Sequence, residues 1–279
     1  MEDKIVKCLN CGTEFKGNFC PQCGQSADTK RFTIRFIFTN LLKAILSNDG
    51  GIWVTLKSLF TRPGQMMVDI IDGKRKSYFS PFPMLFLTLS LYVIIFTFTG
   101  SQDIDFDSLM GDGEAKVTVD VGEKTHEQIL ADKTKLFIIN ALKLYSKNYT
   151  AAFILTIPIY IMAARVSFGK KNRKKYNWGE YCIPIVYSLI LLVLYRCLMS
   201  IVYYFSPEMS EKMGQLMVVL NIIVFTATFN KMFDFNVKKM LWRSFLTIVF
   251  YWVFLIALVL LVAIIVGVIF FIIHPEYLR

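Results

Sequence analysis

Four cysteines near the start of the chain, Cys8-x2-Cys11-x8-Cys20-x2-Cys23, have a spacing suited to holding one metal ion. A two-residue gap lets one tight turn aim both thiolates at a single ion, and two such turns complete a tetrahedral donor set. Gly12 follows Cys11 and Gly24 follows Cys23, so each turn carries a small residue that relieves crowding beside the ligands. Four sulfur donors leave no open coordination position, which makes the expected ion a structural zinc rather than a catalytic one. Sixteen residues span the cluster, too few to build a core, so metal binding would supply the folding energy of this unit. The competing assignment is a redox pair or four unrelated thiols. Cys182 and Cys197 lie inside an apolar run, where they serve as small packing residues, and no disulfide framework is implied.

Other groups that could do chemistry are sparse. Lys74, Arg75 and Lys76 follow Gly73 directly. As a site they would grip anionic lipid headgroups or a phosphorylated ligand, with the planar Arg75 fork beside two point charges. As topology they are a positive flank to the first apolar run. The Gly-x4-Gly-Lys-Ser/Thr frame of a phosphate loop is missing. Arg196 is the one charge well inside an apolar run, and a charge there is a functional hypothesis by default unless it snorkels outwards. Asn221 in the following run is a candidate polar partner for it or for a neighbouring helix. Both histidines, His126 and His274, fall outside every apolar run, and Gly-x-Ser-x-Gly is absent, so catalysis finds little support. Asp69 and Asp72 share one face of a short helix at i, i+3 and are expected to offset nearby lysines.

The elements that must position these residues read mostly as membrane helices. The chain has 279 residues, 55% of them hydrophobic, with 25 Phe and 13 Tyr, more apolar surface than a soluble core of this size uses. Five windows reach the roughly 17–25 residues that a bilayer core requires: 82–99, 148–168, 181–205, 213–229 and 244–273. Pro158 and Pro184 interrupt the second and third, as membrane helices tolerate. The net charge of +10 comes from basic residues on short connections, which is the positive-inside pattern and not a nucleic-acid footprint. Segment 101–134 holds nine acidic residues against three lysines, whereas 169–180 carries Lys170, Lys171, Arg173, Lys174 and Lys175, and 230–243 carries Lys231, Lys238, Lys239 and Arg243. Alternation of sign places the N-terminus with the basic connections on the cytoplasmic face and the C-terminus outside. The first thirty residues have no apolar core or cleavage pattern of a signal peptide.

Between the cysteines and the first window, Ile34, Ile37, Phe38, Leu41, Leu42 and Ile45 make one helical stripe, and Ile52, Trp53, Leu56, Leu59 and Phe60 a second. Pro63 suits the first turn of a third helix carrying Met66, Met67, Ile70 and Ile71, which Gly73 would end with a left-handed cap. These helices are expected to lie in the membrane interface or to pack beneath the bundle. Residues 127–144 have a helical pattern that could run on into the second window.

The run Phe19-Cys20-Pro21-Gln22-Cys23-Gly24-Gln25 resembles the short zinc ribbon of many prokaryotic proteins. Arg62-Pro63-Gly64 and the stretch from Asp72 through Gly73-Lys74-Arg75-Lys76-Ser77-Tyr78 to Pro81 are similar to a family of uncharacterised bacterial membrane proteins, in which such a ribbon precedes several spans. The resemblance covers about the first hundred residues and implies no activity.

The expected fold is an all-α membrane protein of about five transmembrane helices. A four-cysteine zinc ribbon (1–27) and interfacial amphipathic helices (28–80) precede the bundle (81–279), which carries the acidic outer loop 101–134. The expected role is a non-enzymatic scaffold or interaction component of the bacterial inner membrane. Its partners would be the lipid bilayer and a protein partner or a second copy of the chain, without nucleic acid. A small oligomeric transporter or channel lined by Arg196 and Asn221 is the first alternative. A lipid-modifying enzyme working at 73–78 is the second.

Overall fold

The computed structural model describes residues 5–35, 51–99, 149–206, 208–209, 216–233 and 235–273. The acidic segment 101–134, the helical pattern at 127–144 and most of the stripe that begins at Ile34 lie outside them. The described chain is mainly helical, with one small sheet made by β1 (Val6–Lys7) and β2 (Glu14–Phe15), paired antiparallel with Val6 opposite Phe15.

Two short helices follow, α1 (Ile52–Thr61) and α2 (Pro63–Ile71). Pro63 stands in the first turn of α2, where its missing N–H is no loss. The helix ends as the sequence suggests. Lys74 N–H donates to the Asp69 carbonyl at 2.8 Å and Gly73 N–H to the Ile70 carbonyl at 3.2 Å, with Gly73 at φ +108°, which is a Schellman cap. Met66, Met67 and Ile70 turn into the main core, so α2 packs beneath the bundle. The stripe expected on α1 divides: Leu59 is buried with Thr55 and Ser58, while Trp53 and Phe60 are exposed. An outward Trp beside an outward Phe suits a membrane interface.

The bundle consists of α3 (Pro81–Thr99), α4 (Tyr149–Ser167), α5 (Gly169–Lys175), α6 (Trp178–Phe205), α7 (Met217–Phe229) and α8 (Val237–Ile273). Helix α6 is its centre, packed against α3, α4 and α7, with α8 laid on α4 and α7. Both internal prolines, Pro158 in α4 and Pro184 in α6, stand within continuous helices. Aromatic rings fill the space between helices: Phe168 stacks on Phe229 and Phe233 at 4.9 and 4.6 Å between centroids, and Tyr160 on Tyr251 at 3.8 Å. Interhelical hydroxyl pairs, Ser188 with Thr228 at 2.8 Å and Ser167 with Thr247 at 2.6 Å, each contribute roughly 0.6 kcal/mol in a membrane setting.

Three of these helices, α3, α6 and α8, are long and apolar enough to cross a membrane, and the count is four if α4 is taken with α5, into which it bends by 118°. The fourth expected window yields α7, whose 13 residues rise only roughly 20 Å against a ~30 Å hydrocarbon core. Helix α8 has 37 residues, about 55 Å. It begins at Val237, seven positions before the expected window, taking Lys238, Lys239 and Arg243 into its first turns, and its later apolar residues from Leu258 to Ile265 stand exposed.

Phe229 is fully buried where Phe168, at the turn between α4 and α5, Tyr181 of α6 and Phe225 of α7 meet. Phe229→Ala is expected to destabilise the protein by about 3 kcal/mol, read as a lowered thermal midpoint in detergent. Phe86→Ala on the exposed side of α3 is expected to leave the midpoint near that of the wild type.

Candidate metal centre

The two cysteine turns have the same backbone. In the first, Cys8 N–H donates to the Thr13 carbonyl and Gly12 N–H to the Cys8 carbonyl, both at 2.9 Å. In the second, Cys20 N–H donates to the Gln25 carbonyl at 2.9 Å and Gly24 N–H to the Cys20 carbonyl at 2.8 Å. Each turn therefore points its pair of sulfurs the same way, and the two turns face each other. Cys8 Sγ lies 3.5 Å from Cys23 Sγ, Cys11 Sγ lies 3.5 Å from Cys20 Sγ, and all four fall within 4.8 Å of one another. A tetrahedron of bonds of about 2.3 Å has sulfur–sulfur edges of about 3.8 Å, so these four cysteines fit a single ion. No disulfide joins them. Cys8 and Cys20 are buried with Phe15, which with the partly buried Val6 and Ala27 is the apolar core of this unit among the described residues.

The thiols are electrostatically unequal. The Thr13 hydroxyl, 3.3 Å from Cys11 Sγ, and the Thr13 backbone pull the Cys11 thiol down to about 6, while burial pushes Cys23 up to about 11. An entering cation displaces the remaining thiol protons, so acid competes with metal.

The cluster is seated on the segment after α2. Gln25, 6% exposed, uses its whole amide for this. Its Nε2 donates to the Gly73 carbonyl at 2.9 Å, and its Oε1 accepts from Arg75 N–H at 3.1 Å and Lys76 N–H at 3.2 Å. Asn10 Oδ1 accepts from the Ser77 N–H and hydroxyl at 3.3 and 3.0 Å. Leu9 packs against Gly73, where a Cβ would stand 2.6 Å from the movable Leu9 Cδ1 and 3.2 Å from Leu9 Cβ, and the positive φ is what calls for glycine there.

The three basic residues have separate partners. Lys74 Nζ pairs with Asp69 at 3.0 Å. The Arg75 guanidinium lies 3.8 Å over the Phe32 ring and donates to the Lys30 carbonyl at 2.5 Å. Burial brings its pKa down to about 10, against the pull of the Glu180 carboxylate, and it remains charged at neutral pH. Lys76 meets Gln25 through its backbone.

A second hold comes from α6. Arg31 forks onto Glu180 at 2.7 and 2.8 Å, and Glu180, 1% exposed, also accepts from Asn177 N–H while Asn177 Oδ1 accepts from Glu180 N–H. This is a capping box at the start of α6 whose carboxylate has been given a cation. A Cβ on Gly179 would stand 2.6 Å from the Phe32 carbonyl oxygen. Sequence reasoning singled out neither Glu180 nor Gly179. The Asn177-x-x-Glu180 pattern was the available signal.

Arg196 and Asn221 both line a cavity of about 240 Å³ among α4, α6, α7 and α8, together with Thr156, Tyr160 and Tyr251. Asn221 Nδ2 donates to the Met217 carbonyl of its own helix at 2.7 Å, and Tyr92 lies near Arg196.

Residues 49–93 match the family described as protein of unknown function (DUF3667). The chain thus resembles an uncharacterised domain family over α1, α2, the segment at 73–77 and most of α3, the part on which the cysteine unit sits. No curated protein and no solved structure matches the chain.

Burial alone would raise the Asp69 carboxyl, but hydrogen bonds from Lys74, Gln65 and Tyr78 together hold it below its ordinary value. A depressed carboxylate stabilises above its unfolded pKa and loses that contribution as pH falls through its folded one. Asp69→Asn is expected to lower the thermal midpoint at neutral pH, and the gap from the wild type is expected to close on acidification below the ordinary carboxylate range.

Proposed function

We propose that this chain is a non-enzymatic scaffold of the bacterial inner membrane in which a structural zinc ribbon locks the end of a helical bundle. The ribbon and the basic connections face the cytoplasm, and the far end of α8 faces outwards. Zinc, when bound, supplies a tetrahedral tie between the two cysteine turns and no reactive position. The observation that carries this reading is the Gln25 amide, which follows the second cysteine turn and holds Gly73, Arg75 and Lys76 at once. A closed four-sulfur donor set hydrogen-bonded to the protein's own segment supports a brace more than a reaction centre. The basic connections also gather at this end: Arg31 reaches Glu180 and the Lys175 carbonyl, and Tyr176 donates to the Met232 carbonyl. That grouping agrees with the orientation expected from charge.

Elemental analysis of the purified full chain is expected to find one zinc per chain, lost in Cys20→Ser together with a clear fall in thermal midpoint, and retained in Cys182→Ser. Metal-free protein with an unchanged midpoint, or turnover of a lipid or phosphate substrate that depends on Arg75, contradicts the proposal.

The cavity holding Arg196 and Asn221 favours a second reading, a small oligomeric transporter or channel. It lies among helices that carry both internal prolines, and a charged side chain deep in such a bundle commonly marks a polar path. Under this reading, solute uptake or conductance appears in reconstituted vesicles and disappears with Arg196→Ala. Under the scaffold reading, neither appears.

A further inference from the structure

Where α4 turns into α5, Lys170, Lys171 and Lys175 line a cleft of about 490 Å³ together with Lys239 and Arg243 from the start of α8. That volume lies within the roughly 300–1,000 Å³ of ordinary ligand pockets. Phe168, Phe233 and Phe235 line the same cleft, with the Phe168 ring stacked on the other two at centroid distances of 4.6 and 6.5 Å. Among the described residues no carboxylate lines it, and Asp234 lies outside them.

Five cations around one void repel one another. Positive-inside topology explains why each connection is basic, but not why two of them, more than sixty positions apart, close on the same space. Their side chains are also partly set in place. Arg243 Nη1 donates to the Ser167 carbonyl, which fixes the guanidinium at the end of α4, while its Nε–H is buried with no acceptor among the described residues. The Lys239 ammonium rests 4.4 Å over the Phe235 ring, a contact that steadies a lysine without neutralising it. Clustered cations, one of them held over a ring of an aromatic wall, form a receptor for a negative group attached to an apolar one.

We infer that this cleft binds a phosphate-bearing anion, the phosphate held by Lys171, Lys239 and Arg243 and the attached apolar part laid against Phe168, Phe233 and Phe235. The position suits a lipid headgroup, since α8 becomes a candidate membrane span from Val237 onward. A soluble phosphorylated molecule has the same chemistry, and the test separates the two.

Binding to the full chain in detergent is measured by native mass spectrometry against phosphatidylcholine, phosphatidylglycerol, cardiolipin and inorganic pyrophosphate. Lys171→Gln with Lys239→Gln removes two lining charges. Lys174→Gln with Lys238→Gln removes two from the same elements outside the lining. All four lysines are exposed, so both variants fold. The cleft predicts that an anionic phosphate probe binds and that the lining pair weakens it about tenfold or more, while the outer pair changes it by less than about threefold. Preference for the anionic lipids assigns the ligand to the bilayer, and preference for pyrophosphate assigns it to the cytosol. Equal effects of the two pairs reduce the cleft to general surface attraction and overturn the inference, as does failure of every phosphate probe to bind.

Discussion

Four sulfur atoms within 4.8 Å of one another impose a constraint that propagates through one end of this protein. As thiolates they repel and require a cation, and as thiols they offer almost no cohesion. Phe15 and a few partly buried neighbours are the remaining apolar core of the unit, far less than a self-supporting domain uses. The position of Gln25 follows from this, because its carbonyl closes the second cysteine turn while its side chain reaches Gly73, Arg75 and Lys76. The geometry of the four cysteines and the path of the chain after α2 are linked through one residue.

From there the links continue into the bundle. Arg75, fixed through its backbone by Gln25, places its guanidinium on Phe32, and Phe32 passes so close to Gly179 that a side chain there would strike its carbonyl. Arg31, one residue earlier, neutralises the buried Glu180. Taking a carboxylate out of water is costly unless it is paired and hydrogen-bonded, so Glu180 at the start of α6 depends on the ribbon's tail, and the tail is oriented by Glu180. Tyr187, about two helical turns further along α6, donates to the Phe79 carbonyl at 2.5 Å and so holds the entry to α3. The small four-cysteine unit and its tail thereby touch both the central helix and the lead-in to the first apolar one.

Much of this was legible where the signal is local. The cysteine spacing, the proline start and glycine end of α2, and the long apolar windows each depend on neighbours within a turn or two, and the structure places them accordingly. Long-range pairing was not legible. Arg31 and Glu180 are 149 positions apart, and nothing in either neighbourhood names the other, although Asn177-x-x-Glu180 marks a helix start. The Gly73–Lys76 run reads as a surface charge cluster because composition does not reveal that Gln25 and Phe32 take up Arg75. On α1, periodicity identified apolar residues but not which of them face inward, since in a membrane interface both sides can be apolar. Helix α7 shows the limit of hydropathy: its window is apolar enough, but the described helix is short for a span. Arg196 and Asn221 line one cavity, but the Asn221 amide turns to the Met217 carbonyl of its own helix, a local bond that polarity alone does not reveal.

The central claim is that the metal-held turn governs the segment beyond α2, and hydrogen–deuterium exchange at the backbone amides of Arg75 and Lys76 tests it most directly, because both donate to Gln25 Oε1. Stripping the metal with a strong chelator should speed exchange at these two amides while the buried middle of α6, from Ile183 to Ile190, keeps its protection. Unaltered exchange at Arg75 and Lys76 after complete metal removal would contradict the account.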